Sequence, residues 1–475
     1  LRKQRPTATF VFPRVEYHTG DPPLGIAYVA AALRQARPDI DVRLVDGTFL
    51  GDEKRLIQAV EATGPSIVGV FIDSLSIGRA RRIGRIFRDR GCFTLAGGPM
   101  ASVSPEILMG DFDAVLIGEA ESLIADLVEA ALSRSPLDAV PNLVFDQGNG
   151  EACHTRHEPC GPELDGLAWP AWDLLDMENY LRRWPYLDSV RIDIRGTNVV
   201  ASRGCPWACT YCQPTLNAVF GKRVRSRSPE DVVGEIEELQ GRYGVEGIFF
   251  HDDTLLANRQ WTLSLCDALL RLRRPLLWGC NSRADTLTPE LIDALAAAGM
   301  RNVHIGIEAG SERVRREIYD KHVDIGHLER MLDRLEQRGV SALGFFMLGG
   351  PTETLSEMLE TVRLAQRLRL REATFSLTSV LPGTYLYDRV VADPRFTLIE
   401  VEGGIDYYNG RNFEDRDMPM GDNALRTLQI TALAAFYLHP RRVDYLLRHL
   451  TSPNGLTKLT LKAERFLRPL LNFGR

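Results

Sequence analysis

From Ala8 to Asp113, and again from Asn198 to Val380, short apolar runs alternate with stretches of helical period. That alternation restricts the chain to α/β architectures built on parallel sheets. In the first block, Thr9 to Phe12, Val42 to Val45, Ile67 to Phe71, Thr94 to Ala96 and Ala114 to Ile117 read as strands. Stretches such as Leu24 to Gln35 and Lys54 to Ala62 read as helices between them. The pattern predicts a doubly wound sheet whose ligands bind beyond the carboxyl ends of its strands. Gly97, Gly98, Ser102, Gly118 and Glu119 fall at those ends. Small residues there either admit a large flat ligand or a phosphate to the backbone, or simply make tight βα turns.

Between Leu137 and Arg195 the period is lost, and Pro, Trp and Asp are scattered, as in Trp169-Pro170-Ala171-Trp172-Asp173. This reads as a wrapped connector. The second block predicts strands at Val199 to Ser202, Gly247 to His251, Leu276 to Cys280, Asn302 to Ile307, Ala342 to Leu348 and Thr374 to Val380. Helices are expected at Pro229 to Tyr243, Arg259 to Arg271, Pro289 to Ala298, Ser311 to Tyr319, Ile325 to Arg338 and Thr354 to Leu368. Six βα units in about 190 residues fall short of a closed eight-unit barrel, so a partial (β/α)6 barrel is expected, with its chemistry at the C-terminal strand ends. Beyond Asp393 an irregular acidic stretch leads to a helical tail from Asn423 to Leu450, which carries Phe436-Tyr437-Leu438-His439-Pro440-Arg441-Arg442. The expected division is 1–140, 141–195, 196–390 and 391–475: Rossmann-like domain, connector, barrel and helical C-terminal region.

Charge and cysteine usage narrow the chemistry. The 475 residues carry 57 Lys+Arg against 63 Asp+Glu, a formal charge of -6. That balance argues against a partner held by phosphate neutralisation. No apolar run approaches the ~20 residues of a membrane span, so a cytoplasmic protein without membrane or nucleic-acid partners is expected. Eight cysteines are too few for a disulfide scaffold, yet Cys205, Cys209 and Cys212 crowd into one C-x3-C-x2-C loop after the first barrel strand. Three thiolates at that spacing can occupy three corners of an iron–sulfur cube and leave one iron open. Structural zinc would require a fourth ligand, which the local sequence lacks. Three unliganded thiols are the other reading. Cys153 and Cys160, beside His154 and His157, are either a second metal site or solvated loop residues.

The run Ser202-Arg203-Gly204-Cys205-Pro206-Trp207-Ala208-Cys209-Thr210-Tyr211-Cys212 resembles the signature of the radical S-adenosylmethionine (SAM) superfamily. The resemblance implies a 4Fe-4S cluster on Cys205, Cys209 and Cys212. Its free iron would chelate the amino and carboxylate groups of SAM and cleave it to a 5′-deoxyadenosyl radical. Tyr211 stands at the family's aromatic position. His251-Asp252-Asp253-Thr254 resembles a subgroup with an acidic pair, where Asp252 or Asp253 would take the SAM ammonium or hold substrate hydroxyls. Asn281 and Arg283 end the third strand, where an Arg fork suits a carboxylate. Glu308 ends the fourth, at the family's SAM ribose or amine contact. Gly349 and Gly350, then Leu381-Pro382-Gly383-Thr384, resemble the adenine-facing fifth and sixth strand ends.

The segment Pro23-Leu24-Gly25, with Gly97-Gly98-Pro99, Ser102 and Gly118-Glu119-Ala120-Glu121, resembles the cobalamin-binding Rossmann domain found before the barrel in one radical SAM subfamily. That implies cobalamin at Leu24, Gly97, Gly98, Ser102, Gly118 and Glu119. No Asp-x-His-x-x-Gly occurs, and His18 lacks the Asp two residues earlier, so no histidine is expected beneath cobalt. The implied activity is cobalamin-dependent C-methylation of a small metabolite or natural-product intermediate at an unactivated carbon, fed by an electron donor such as flavodoxin or ferredoxin. The alternative is a cobalamin-independent radical dehydration, deoxygenation or epimerisation of a hydroxylated or amino-sugar substrate. A non-catalytic corrinoid or iron–sulfur carrier and a tRNA-modifying enzyme are further readings. The strand-end residues weigh against the first and the acidic balance against the second.

Overall fold

The structure is a computed structural model that describes residues 5–15, 19–148, 150–158, 163–399, 404–405, 410–418, 420–451, 455–456 and 458–460. Tyr17, His18 and Cys160 lie outside the described residues.

Strands β1 (Thr7–Phe12), β2 (Asp41–Asp46), β3 (Ile67–Phe71), β4 (Phe93–Gly97), β5 (Ala114–Leu116), β6 (Leu143–Asp146) and β7 (Ala152–His154) form one sheet in the order β2-β1-β3-β4-β5-β6-β7. The first five are parallel, as the alternation predicts, and Gly97 closes β4 at the carboxyl edge. The connector departs from expectation. Its first part is an antiparallel hairpin, β6 and β7, that extends the sheet. Leu143 and Val144 are buried, and the Asp146 carboxylate accepts from the Gly148 and Gly150 amides (2.8 and 2.9 Å), which shapes the turn. In that hairpin Cys153 Sγ receives a bond from Gln147 Nε2, and His154 faces Glu106. Among the described residues no set of three His, Cys, Asp or Glu stands ready to close on a metal ion there. The second part of the connector does wrap: Trp169 and Trp172 donate their indole N–H groups to Asp231 and Glu235 of the barrel helix Pro229–Tyr243.

The second sheet comprises β8 (Gly196–Val199), β11 (Gly247–Phe250), β12 (Leu277–Ser282), β13 (Met300–Glu308), β14 (Ser341–Leu348) and β15 (Glu372–Leu377), all parallel and in chain order, with a separate ribbon of β9 (Ser202–Arg203) and β10 (Arg225–Ser226). Among the described residues β15 does not pair back to β8, so the barrel is open. The first strand ends three residues earlier than expected, because Asp252 holds Ala201 and Ser202 and turns the chain into the ribbon. The helix expected over Ser311 to Tyr319 is a single π turn, Val314–Ile318. Sequence signals place the other helices. Ser228 caps Pro229–Tyr243, which Gly244 terminates in the left-handed conformation, and Thr354 forms a reciprocal capping box with Glu357.

The helical tail breaks at His439-Pro440 into Asp422–Tyr437 and Val443–Thr451. Its first helix packs along β15. Gln429 donates to the Phe375 carbonyl, and the Tyr437 hydroxyl both accepts from the Ala373 amide and donates to its carbonyl. An open barrel leaves backbone groups of β15 without a strand partner, and these side chains satisfy three of them. Arg442 lies over Phe436 and donates to the carbonyls of Ala365, Gln366, Leu368 and Leu370 at the C-terminus of Leu355–Arg367. One apolar core joins the two domains: Leu24, Ala27 and Tyr28 of the helix Leu24–Ala36 pack with Val199, Ala201 and Ile236.

Candidate active site at the facing sheet edges

The cysteine loop leaves the ribbon through Gly204, whose φ of +94° favours glycine. Its far end is pinned from three directions. Thr210 donates its amide to the Tyr319 carbonyl (3.1 Å) and its hydroxyl to Ile318 (2.7 Å), while the Leu386 amide donates to the Thr210 carbonyl (2.9 Å). Gln213 Nε2 reaches back to the Cys205 carbonyl (3.3 Å). Burial pushes the Cys205 and Cys212 thiols up, and each also feels the neighbouring Cys209. Such thiols ionise when a metal takes the charge. Arg283 Nη1 lies 3.5 Å from Cys209 Sγ and supplies a donor to that sulfur. Among the described residues no three ligand side chains converge on one ion.

The acidic pair divides its labour. Asp252 is buried, accepts from Ser202 Oγ (2.5 Å) and the Ala201 amide (3.2 Å), and fixes the ribbon. Burial raises its carboxyl to about 7, against the pull of those bonds. Asp253 is exposed at the same strand end, yet enough protein surrounds it to raise it to about 6. Of the two, Asp253 is open to a ligand. Asn281 donates to the Asp252 carbonyl and so supports the pair (3.1 Å). Arg283 is not a free fork. It grips Asp285 with two bonds of 2.9 Å and stacks on Trp207, 4.6 Å from the ring centroid.

Glu308 ends β13 with a φ of +69°, rare for a side-chain-bearing residue, at a register shift between Gly306 and Glu308. Its Oε1 receives Lys321 Nζ (2.7 Å) and the Tyr211 hydroxyl (2.9 Å), and Lys321 also touches that hydroxyl (3.2 Å). Gly306 makes room for the pair: a Cβ there would lie 2.3 Å from Lys321 Nζ and 2.5 Å from Glu308 Oε1. Gly349 and Gly350 form a turn closed by Glu353, whose Oε2 accepts the Gly350 amide (2.8 Å) and whose buried carboxyl is pushed up to about 8. A Cβ on Gly350 would lie 2.6 Å from the Tyr319 hydroxyl, so only glycine fits.

The carboxyl edge of the N-terminal sheet faces this mouth. Ser102 Oγ donates to the Gly98 carbonyl (3.0 Å) and accepts the Gly118 amide (2.9 Å), tying the two glycine turns together. The helix Pro99–Val103 packs on Thr215–Phe220, which follows the cysteine loop, and Val103 closes on Gly383 at the sixth strand end. Leu24 begins the helix that enters the shared core. Glu119 does something the sequence did not suggest: its carboxylate is spanned by Arg203 and Arg225 of the barrel ribbon (2.6 Å each).

Three participants escaped sequence reasoning. Lys321 lies thirteen residues beyond Glu308 with no motif around it. Arg203 stands in the cysteine run and Glu121 in the Gly118 run, but their meeting is tertiary.

A family model described as the radical SAM superfamily matches residues 199–365, and one described as a B12 binding domain matches residues 17–128. The chain carries a radical SAM domain and, before it, a B12-binding domain. The cofactors that go with these two domains are a 4Fe-4S cluster, SAM and cobalamin. The radical SAM chain is 29% identical over 438 residues to an uncharacterized methyltransferase of Pyrococcus horikoshii, covering 89% of each. It is 25% identical over 433 residues to the cytidylyl-2-hydroxyethylphosphonate methyltransferase of Streptomyces wedmorensis, covering 80% of this chain and 79% of that one. Its fold is that of OxsB, solved as a cobalamin-dependent SAM radical enzyme with aqua-cobalamin and SAM bound (TM-score 0.73, 17% identity, 98% of this chain and 72% of that one). It is also that of the radical SAM methyltransferase TsrM of Kitasatospora setae (TM-score 0.68, 19% identity, 84% and 78%). Among the described residues no helix is long and apolar enough to cross a membrane.

Proposed function

We propose that this radical SAM enzyme methylates an unactivated carbon of a small metabolite or natural-product intermediate in a cobalamin-dependent reaction, drawing electrons from a donor such as flavodoxin or ferredoxin in the cytoplasm. The observation that carries the reading is that the carboxyl edges of the two sheets face each other, with Pro99–Val103 against the helix that follows the cysteine loop. Relatives named as methyltransferases along most of the chain support it.

When bound, the cluster, SAM and cobalamin supply SAM cleavage, hydrogen abstraction and methyl delivery to a carbon that has no lone pair to attack with. The chain's own residues hold and orient. Cys205, Cys209 and Cys212 would ligate the cluster, with Arg283 donating to one sulfur. Asp253 would accept the SAM ammonium, and Gly349 and Gly350 would admit adenine to the backbone. Glu308, with both protein donors on Oε1, would offer Oε2 to a ribose hydroxyl. Gly97, Gly98, Ser102 and Gly118 would line cobalamin. For Glu119 the backbone is the part available to that ligand, since its carboxylate is committed.

The inner wall bears on the substrate. Phe345 and His251 are exposed and Met347 is half-buried, while Phe346 and Leu348, on the alternate positions of β14, are buried against the helices. Two cations near the barrel mouth, Arg283 and Lys321, are held by Asp285 and Glu308. A substrate whose reacting end is apolar and uncharged suits that wall better than a phosphorylated one.

Anaerobically reconstituted, reduced protein supplied with cobalamin and trideuteromethyl-SAM should yield both S-adenosylhomocysteine and 5′-deoxyadenosine and place the labelled methyl on the product. Alanine at Cys205, Cys209 or Cys212 should abolish both along with bound iron. Production of 5′-deoxyadenosine without S-adenosylhomocysteine would remove the methyl-transfer reading and leave the cobalamin-independent alternative.

A further inference from the structure

Arg203 joins the two cofactor edges, with Arg225 beside it on Glu119. Arg203 precedes the first cysteine by two residues and crosses the domain boundary, donating Nη1 to Glu119 (2.6 Å) and Nη2 to Glu121 (2.7 Å). All three side chains are nine-tenths or more buried. Burial works against the Arg203 charge, and the two carboxylates more than offset it. Its guanidinium also lies over the ring of Tyr28, on the helix that begins at Leu24, 5.1 Å from the centroid. From Glu119 the connection runs on through its neighbour Gly118, whose amide is held by Ser102, to the Gly98 carbonyl. A continuous path of covalent and hydrogen bonds thus runs from Gly204 and Cys205 to the Gly118 and Gly98 turns of the N-terminal domain.

We infer that Arg203 is a positioning residue that couples the two cofactor sites, so that filling the cluster loop pre-orders the cobalamin edge and tightens cobalamin binding. The physical basis is that a cluster fixes Cys205 and with it the short segment back to Arg203. The guanidinium then holds the Gly118–Glu121 turn in the conformation the ligand needs, and ordering already accomplished need not be opposed again on binding. Coupling is reciprocal by necessity, so cobalamin should equally favour the loaded loop. Asp252 reinforces the path by fixing Ser202.

This inference rests on the cofactor assignment above, and its test reads binding rather than turnover. The dissociation constant of hydroxocobalamin is measured by absorbance titration on the full chain before and after cluster reconstitution. In the wild type, reconstitution should tighten binding about tenfold, within the range usual for coupled sites. In Arg203→Gln that ratio should fall within about twofold of unity, while Arg203→Lys, which can reach one carboxylate, should retain part of it. Should Arg203→Gln fail to fold, Glu121→Gln removes one of the two bonds and should give an intermediate ratio. An unchanged ratio in Arg203→Gln or Glu121→Gln, or a wild-type affinity indifferent to the cluster, overturns the coupling. A wild type that binds no hydroxocobalamin in either state overturns the cofactor assignment itself and the coupling with it.

Discussion

Replacing Lys321 by Met tests how the strained end of β13 is held. The ammonium and the Glu308 carboxylate are both about nine-tenths buried, 2.7 Å apart. The substitution keeps the apolar stem and removes the charge, leaving the carboxylate with the Tyr211 hydroxyl as its remaining protein donor in the triad. Breaking a buried pair from one side costs about 3–5 kcal/mol, because the surviving charge stays desolvated. The Tyr211 bond retains part of the compensation, which places Lys321→Met near the lower figure, about 3 kcal/mol, or about a hundredfold in the folded-to-unfolded ratio. Adding Glu308→Gln should restore most of it, to within about 1 kcal/mol of wild type, since a neutral amide carries no unpaired charge and can still accept from Tyr211. The assay is urea unfolding followed by circular dichroism at matched slope for the wild type, both single variants and the double variant. If Lys321→Met cost less than about 0.5 kcal/mol, or if the double variant were as unstable as the sum of the singles, the pair would not be what holds Glu308 in place.

Two further outcomes follow from groups away from the cysteine loop. The Glu353 carboxyl is raised from 4.5 to about 8 by burial, so the folded state favours its protonated form. Its contribution is therefore present at low pH and lost as pH rises from about 4.5 through 8, and thermal melts at pH 5, 6.5 and 8 should show Glu353→Gln flattening that fall; an unchanged slope would place the titration elsewhere. Tyr437→Phe removes both bonds to Ala373 on the edge strand β15 and should cost about 1–3 kcal/mol in the same urea assay, with iron content unchanged; a cost near zero would mean that water serves the edge equally well.

The legibility of this protein in its sequence divides along a physical line. Periodicity and local chemistry are short-range. They placed the parallel strands of both sheets, the capped helices and the cysteine loop, because burial on two faces, caps and thiolate spacing each leave their mark within a few residues. The hairpin at 143–154 was missed, although Gln147-Gly148-Asn149-Gly150 is a turn signal, because the surrounding Trp and Pro obscured two short strands. The Arg fork expected at Arg283 grips a carboxylate of the chain itself, that of Asp285 two residues away.

What the sequence determined alone is the set of candidate residues: three thiols in one loop, and small or acidic residues at successive strand ends. What only the tertiary structure decided is how those groups are held and shared. Whether Asp252 or Asp253 stays open, that Lys321 answers Glu308, and that Glu119 and Glu121 close on Arg203 across the domain boundary all depend on contacts between residues 13 to 84 positions apart. Such pairings are set by how two sheets dock through a shared apolar core, and no local pattern encodes the partner of a buried charge.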